Sequence, residues 1–503
     1  YMLSKIISGA AEGINGCIIN VEVDISNGFP GFEIVGLPGS AVKESKERVR
    51  TAIKNSGYEL PPKRITINLA PADTKKEGPA FDLPIAVGLL SNMGLIDKKF
   101  ISDCMIIGEL SLDGGVNHVN GVLSIVYNAL KHNIKKCIVP ISNADEACLI
   151  DGMEVYPIEN IKQLIGNNTL SKYTSDINTI LNVSSTDSQP DFSDVKGQEY
   201  VKRAMEIAAA GYHNILLTGH PGSGKTMMAK RLPSILPDLT FEESIEITKI
   251  YSVAGLLKEG QPLITNRPFR SPHHTISATA LTGGSRIPKP GEISLSHYGV
   301  LFLDELPEFK RSVLEALRQP MEDGQVTISR VNASVVYPSK FMLAAAMNPC
   351  PCGYQGDSRC HCTASEIAAY RKRISGPLLD RIDIYADTPD VTYNDLNSKE
   401  KSESSAEIKK RVSAARDIQL TRYKNEGVYF NSQLSSAQTD KFCILDKEAS
   451  ALAETAFDSL SLSARSYHKI LKVARTIADL ENSEIIKAHH IAEAMQYRML
   501  KND

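Results

Sequence analysis

Asn214-Ile215-Leu216-Leu217-Thr218-Gly219-His220-Pro221-Gly222-Ser223-Gly224-Lys225-Thr226 decides the architecture of this 503-residue chain. Its last eight residues fit G-x-x-x-x-G-K-[ST], and wrapping a nucleotide's phosphates demands those residue types. Gly219, Gly222 and Gly224 let successive backbone N–H groups turn toward the oxygens, with Pro221 and Ser223 completing the loop. Lys225 supplies a point charge to the β/γ oxygens, and the Thr226 hydroxyl can hold magnesium. The apolar run before the loop predicts a buried strand. Residues 227–232 predict the helix whose N-terminus faces the anion. The bland alternative is a glycine turn feeding an ordinary helix, and further motifs weigh against it.

Val300-Leu301-Phe302-Leu303-Asp304-Glu305 is four apolar residues ending in two acids. A buried strand there would deliver Asp304 to magnesium and Glu305 to an attacking water. Alone, such a strand is equally a structural element; downstream of a phosphate loop it is a catalytic signal. A third strand, residues 341–347, ends in Asn348, a polar side chain placed to orient water beside the γ-phosphate. These residues point to an ATPase using ATP and magnesium.

The composition, 42% hydrophobic and 23% charged with a net charge of −3, suits a soluble protein of about three domains. No global basic field advertises nucleic acid, so any such binding must come from local patches. Nine cysteines and no Trp argue against a disulfide framework and leave base stacking to Tyr and Phe. Without a secretory signal or an apolar run near the ~18 residues that span a bilayer, a cytoplasmic location with no membrane contact is expected.

Residues 1–165 read as one α+β unit: strands at 17–25, 64–70 and 135–139, helices at 41–56, 83–93 and 121–133. Residues 166–190, rich in Asn, Ser and Thr, read as a linker. The nucleotide module spans 191–390, a charged helical connection 391–448, and a helical lid 449–503, with Ser461 and Ser463 marking a break between lid helices.

Two local features stand apart. Between Gln261 and Gly291 there is no Asp or Glu, while Arg267, Arg270, Arg286 and Lys289 add positive charge. Such a stretch is a candidate for phosphate-backbone contact, the alternative being a loop whose arginines pair with acids of a neighbouring subunit. Arg330, on a hairpin expected at 326–337, is a second candidate. Cys350, Cys352, Cys360 and Cys362 form C-x-C-x7-C-x-C, which makes a tetrahedral zinc site the candidate; reduced, unligated thiols are the alternative.

Taken together, the motifs resemble the magnesium-chelatase-like AAA+ ATPases, and within them the bacterial competence-helicase branch. The stretches that carry the resemblance begin with Arg267-Pro268-Phe269-Arg270-Ser271-Pro272-His273-His274 and Gly291-Glu292-Ile293-Ser294-Leu295-Ser296-His297. They continue with Asn348-Pro349-Cys350-Pro351-Cys352-Gly353, Ser375-Gly376-Pro377-Leu378-Leu379-Asp380-Arg381-Ile382-Asp383 and Leu462-Ser463-Ala464-Arg465-Ser466-Tyr467-His468. The resemblance implies an α/β AAA+ core with a C-terminal helical lid, and a homo-oligomeric ring, hexameric in the family, with ATP between subunits. In that frame Arg381 matches the arginine finger and Arg465 the second sensor. It also implies work on single-stranded or branched DNA: branch migration in recombination or natural transformation, alongside recombination proteins.

The N-terminal unit resembles the proteolytic domain of Lon proteases. Glu77-Gly78-Pro79-Ala80 sits at the nucleophile motif, with Ala80 in the nucleophile's place, and Leu123 stands at the general-base lysine. Neither side chain can attack a carbonyl or take a proton, so the resemblance implies an inactive protease fold. An ATP-dependent protease is thereby disfavoured. A chelatase motor subunit and a nucleotide-switched protein remodeller or scaffold stay open as alternatives.

Overall fold

The computed structural model describes residues 2–72, 76, 78–166, 170–175, 190–258, 261–284, 288–330, 333–390, 402–459 and 462–498. Its first sheet has seven strands in the order Gly31–Val35, Arg64–Ala70, Asn15–Ser26, Met2–Glu12, Cys104–Ile106, Lys136–Pro140, Glu154–Ile158. One half is built on the antiparallel pairing of Met2–Glu12 with Asn15–Ser26, which sets Ile6 opposite Val21. The other half is parallel. Alternation buries Ile19, Val21 and Val23 on one face of Asn15–Ser26, as a half-buried strand requires. The helix Ser40–Asn55 buries the stripe Val42, Val49, Ile53 that its spacing predicts. Helix Asp82–Asn92 is buried along its whole length, which explains its nearly unbroken apolar sequence.

The second sheet is five parallel strands: Phe269–Arg270, Val300–Leu303, Met342–Met347, Ile215–Gly219, Ile384–Thr388. Ile215 pairs with Ala344 on one side and Ile384 on the other, so the strand entering the phosphate loop is central. A central parallel strand buries both faces, which is why it reads as a continuous apolar run. Helices Glu199–Gly211, Lys225–Ile235, Ser405–Arg422, Lys447–Ser459, Ala464–Leu480 and Ala488–Gln496 share a core with it, joining Ile207, Leu217, Val412 and Ile477. Ser463 caps Ala464–Leu480 by accepting the Ser466 N–H at 3.1 Å, so the expected break between lid helices has a physical cause. The expected hairpin is present as Gln325–Arg330 paired with Ala333–Pro338. Of the expected linker, residues 167–169 and 176–189 lie outside the described residues, as do 391–401 of the charged connection.

Helix Val122–Lys131, beside the first sheet, packs against helix Phe241–Ala254. Ile245 and Leu263 complete the apolar cluster of Val122 and Val126. Inside it, Glu146 is 4% exposed. Its carboxylate accepts the Leu123 N–H at 3.0 Å, an Asn143 amide N–H at 2.9 Å and the Ser252 hydroxyl, which itself accepts the Gly121 N–H at 2.9 Å. The Lys249 ammonium sits 3.4 Å from the centroid of the Tyr127 ring, and burial together with Lys131 pulls it down to about 8. Ala80 and Leu123 are both buried in this same cluster, and Ser124 beside them is 1% exposed. No helix among the described residues is long and apolar enough to cross a membrane.

Candidate nucleotide-binding site

The loop from Gly219 to Gly224 leaves the C-terminal end of the central strand, and helix Lys225–Ile235 follows it directly. Gly222 and Gly224 take φ of 84° and 89°, a left-handed backbone that lets adjacent N–H groups converge. A Cβ on Gly219 would lie 2.6 Å from the Thr388 carbonyl oxygen, so this position accepts only glycine. The Lys225 ammonium is 8% exposed by residue and donates to the Gly219 and His220 carbonyls at 2.7 and 2.8 Å. Burial draws it below the ordinary lysine range against the opposing pull of Asp304 and Asp390. An anion entering the cradle would meet this charge with little water to screen it.

Thr226 donates its hydroxyl to Asp304 at 2.6 Å, across from the end of strand Val300–Leu303. Neighbouring oxygens of an octahedral magnesium site lie ~3 Å apart, given Mg–O distances of about 2.1 Å. The pair therefore fits one edge of such a site, and the cradle of glycines and Lys225 fits a nucleoside triphosphate. Glu305 follows with φ of 53° and its carboxylate 60% exposed, 3.5 Å from His274 Nδ1. A left-handed non-glycine residue costs ~1–3 kcal/mol and concentrates where function demands a set direction. Asn348 follows the end of strand Met342–Met347 on the same edge of the sheet. Gly219, Asp304, Glu305 and Asn348 thus gather at the carboxyl ends of parallel strands, where open α/β sheets bind ligands.

Arg381 and Arg465 lie at the other edge. Arg381 precedes Ile384–Thr388, and its carbonyl accepts the Asn214 amide N–H at 2.9 Å, before Ile215–Gly219 begins. Five residues of strand, about 16 Å at ~3.3 Å per residue, separate it from its own phosphate loop. Arg381 donates to Pro377 at 2.5 Å and to Glu322; Arg465 reaches the same Glu322 at 3.5 Å and Asp380 at 3.7 Å. Both arginines line a cleft of about 680 Å³. Burial, with Arg465 and Arg318 nearby, lowers the affinity of Arg381 for its proton, and its Nε is buried with no partner among the described residues. The two arginines thus form a cationic pair gathered on one carboxylate at the cleft.

The basic stretch is largely committed within the chain. Arg267, expected as a DNA contact, is instead buried: it donates to Pro237 at 2.6 Å, Tyr298 at 2.7 Å and Glu243 at 3.2 Å. Arg270 makes a bidentate pair with Glu292 at 2.6 and 2.8 Å, so its charge too is matched. Glu292 lies one residue beyond the acid-free window, whereas Glu243 comes from the preceding helix Phe241–Ala254. Lys289 is exposed; Arg286 and the Arg330 side chain lie outside the described residues.

Cys350, Cys352, Cys360 and Cys362 hold their sulfurs within 4.8 Å of one another. The backbone N–H of Tyr354, foremost among several donors, draws the Cys352 thiol down to about 6. Three residues without an obvious motif also serve the site. Gln198 donates to the Ser223 and Pro389 carbonyls at 2.7 and 3.1 Å, fixing the phosphate loop from below. Asp390 accepts from His220 at 2.8 Å, and Glu322 gathers the two arginines. Only Gly197 ahead of Gln198 hints at the first; nothing local marks the other two.

Family models agree along the chain: "Magnesium chelatase, subunit ChlI" over residues 191–396, "Subunit ChlI of Mg-chelatase" over 21–143, and "Magnesium chelatase, subunit ChlI C-terminal" over 402–498. The chain is 45% identical over 505 residues to the uncharacterized protein YifB of Escherichia coli, covering 99% of this chain and 97% of that one. It is 41% identical over 506 residues to the competence protein ComM of Haemophilus influenzae, covering 99% and 98%. A magnesium-chelatase 67 kDa subunit of Chlorobaculum parvum is 26% identical over 162 residues, 31% of this chain and 23% of that protein.

Proposed function

Since the chain belongs to the magnesium chelatase ChlI family, as a relative of YifB and ComM with the family's AAA+ core and C-terminal helical domain, we propose that it is an ATP-hydrolysing ring motor on DNA. The reading is a cytoplasmic helicase that drives branch migration in recombination or transformation, working as a homo-hexamer alongside recombination proteins. One observation carries the ring: Arg381 is anchored at Asn214, about 16 Å of strand from its own phosphate loop, and Arg465 shares its cleft. They suit the nucleotide of the next subunit. The DNA task is supported by the relative named as a competence protein and by the exposed Lys289.

Within a subunit, Lys225 and the loop amides bind the phosphates, while Thr226 and Asp304 would hold magnesium. Bound magnesium supplies charge neutralisation at the phosphate oxygens. Glu305 takes the proton of the attacking water, Asn348 orients that water, and Arg381 of the neighbour stabilises charge on the transferred group. The N-terminal unit is read as a protease-like fold that keeps neither nucleophile nor base at Ala80 and Leu123. The test is ATP hydrolysis with and without single-stranded and branched DNA, with Glu305→Gln as control. Stimulation that disappears in the variant supports the motor; turnover indifferent to every DNA refutes it and favours protein remodelling or chelatase-type work.

A further inference from the structure

Between Met347 and Ala364 the chain runs without a helix or strand, and without a Leu, Ile, Val, Met or Phe to anchor it. A loop of this length inside a compact domain needs another source of order. It turns at Gly353 and Gly356, whose φ values are 87° and 86°. The turns bring the paired cysteines at its two ends together. Cys350 and Cys352 sulfurs lie 3.4 Å apart, Cys352 and Cys360 3.7 Å, Cys350 and Cys360 3.9 Å. A disulfide would need about 2.05 Å, and these are far longer. Four thiolates at ~2.3 Å from a tetrahedral zinc ion lie about 3.8 Å apart, close to the 3.4–3.9 Å among these three, and Cys362 keeps within 4.8 Å of them.

The same loop leans on the phosphate loop. A Cβ on Gly353 would stand 2.6 Å from the Pro221 ring, so the Gly353 backbone packs directly on that ring. The Tyr354 ring lies 5.7 Å from the His220 ring, and the Arg359 guanidinium covers Tyr354 at 4.2 Å. Arg359 also approaches Asp390 at 3.8 Å, the carboxylate that holds His220. Asn348 is only two residues before Cys350. We propose that Cys350, Cys352, Cys360 and Cys362 bind one structural zinc ion, and that the loop it fixes is a wall of the nucleotide site, so zinc occupancy governs ATP turnover. All four ligand positions are sulfur, so the ion has no open site for catalysis. The coupling rests on the nucleotide reading above; the metal site does not.

Elemental analysis of the purified full-length protein is expected to give about one zinc per chain. A mercurial thiol reagent should release it, registered by a zinc-binding dye, with ATP turnover falling by roughly 10²-fold, the scale of a ~1 Å misplacement near the chemistry. Excess thiol plus zinc should restore turnover. Cys360→Ser with Cys362→Ser should lose the metal, whereas Gly353→Ala should keep it and still lose turnover. Zinc far below one per chain, or iron in its place, overturns the site. Unchanged turnover after zinc release, or normal turnover in Gly353→Ala, overturns the coupling. If untreated protein fails to bind ATP, the nucleotide reading falls while the zinc count stands.

Discussion

Removing Arg381 separates action within a subunit from action between subunits. Across about 16 Å of protein, at an effective dielectric near 20, a unit charge is worth about 1 kcal/mol, so acting on its own phosphate loop Arg381 would contribute about fivefold in rate at most. Acting as a finger on a neighbour it would contribute ~10³–10⁵ in rate, about 4–7 kcal/mol. Arg381→Ala is therefore expected to bind ATP, to fold with a near-normal melting temperature, since its partner Glu322 is half exposed, and to lose nearly all hydrolysis. Lys225→Ala should be inactive for the opposite reason. Mixed in equal amounts before assembly, the two variants form rings in which roughly one interface in four pairs an intact phosphate loop with an intact arginine, whatever the ring size. Turnover near a quarter of the unmodified protein is expected in a coupled ATPase assay. A mixture no more active than its components, with mixed rings confirmed by differential tagging, would refute the placement of Arg381 across the interface.

Glu305→Gln should retain ATP affinity and lose ~10²–10⁴ in turnover, read by filter binding beside hydrolysis; turnover near normal removes Glu305 from proton transfer. Glu146→Ala leaves buried donors from Leu123, Ser252 and Asn143 unpaired, each costing about 1–3 kcal/mol, so the urea midpoint should fall clearly. Arg267→Ala leaves the Pro237 and Tyr298 carbonyls unpaired while Glu243 keeps Arg416 at 3.0 Å, so it should destabilise by ~1–3 kcal/mol while DNA affinity per folded molecule stays level; a selective loss of DNA binding would return Arg267 to the interface. Burial opposes the charge of Asp383, but Lys469 at 3.2 Å and His213 at 3.5 Å outweigh it and hold the carboxyl well below the usual range. Its contribution is present above the unfolded value of about 3.9 and lost as pH falls below that toward the folded one. The acid limb of a stability–pH profile should therefore flatten in Asp383→Asn, and an unchanged limb would count against the assignment.

The phosphate loop, the acidic strand and Asn348 were legible because each is a short strand feeding a polar end, and strand period and chemistry coincide there. Helix Ser40–Asn55 and strand Arg64–Ala70 were legible for a similar reason, since one buried face repeats along the chain. The basic stretch misled because a window free of acids says nothing of acids brought from elsewhere. Glu243 comes from a preceding helix and Glu292 lies one residue beyond the window, and together they neutralise Arg267 and Arg270. Gln198 and Glu322 were illegible because their partners are backbone carbonyls or distant arginines, set only by the closed fold. Glu146 shows the same limit: a glutamate in a short helix gives no sign that it will be buried between two units.

Asn214 stitches three strands at one point. Its side chain donates to the Arg381 carbonyl and accepts the Leu343 N–H at 2.8 Å, while its own N–H donates to Asp383 at 3.2 Å. The strands that leave this knot end at the phosphate loop and at Asn348, so in the ring proposed above each subunit would carry one half of a reaction centre at either end of a stiff strut. The spacing between those halves is fixed by β geometry and cannot be tuned during a cycle. In such a ring, opening and closing of the composite site would come from subunits rocking against one another, and a nucleotide gripped at one seam would shift the geometry offered at the next.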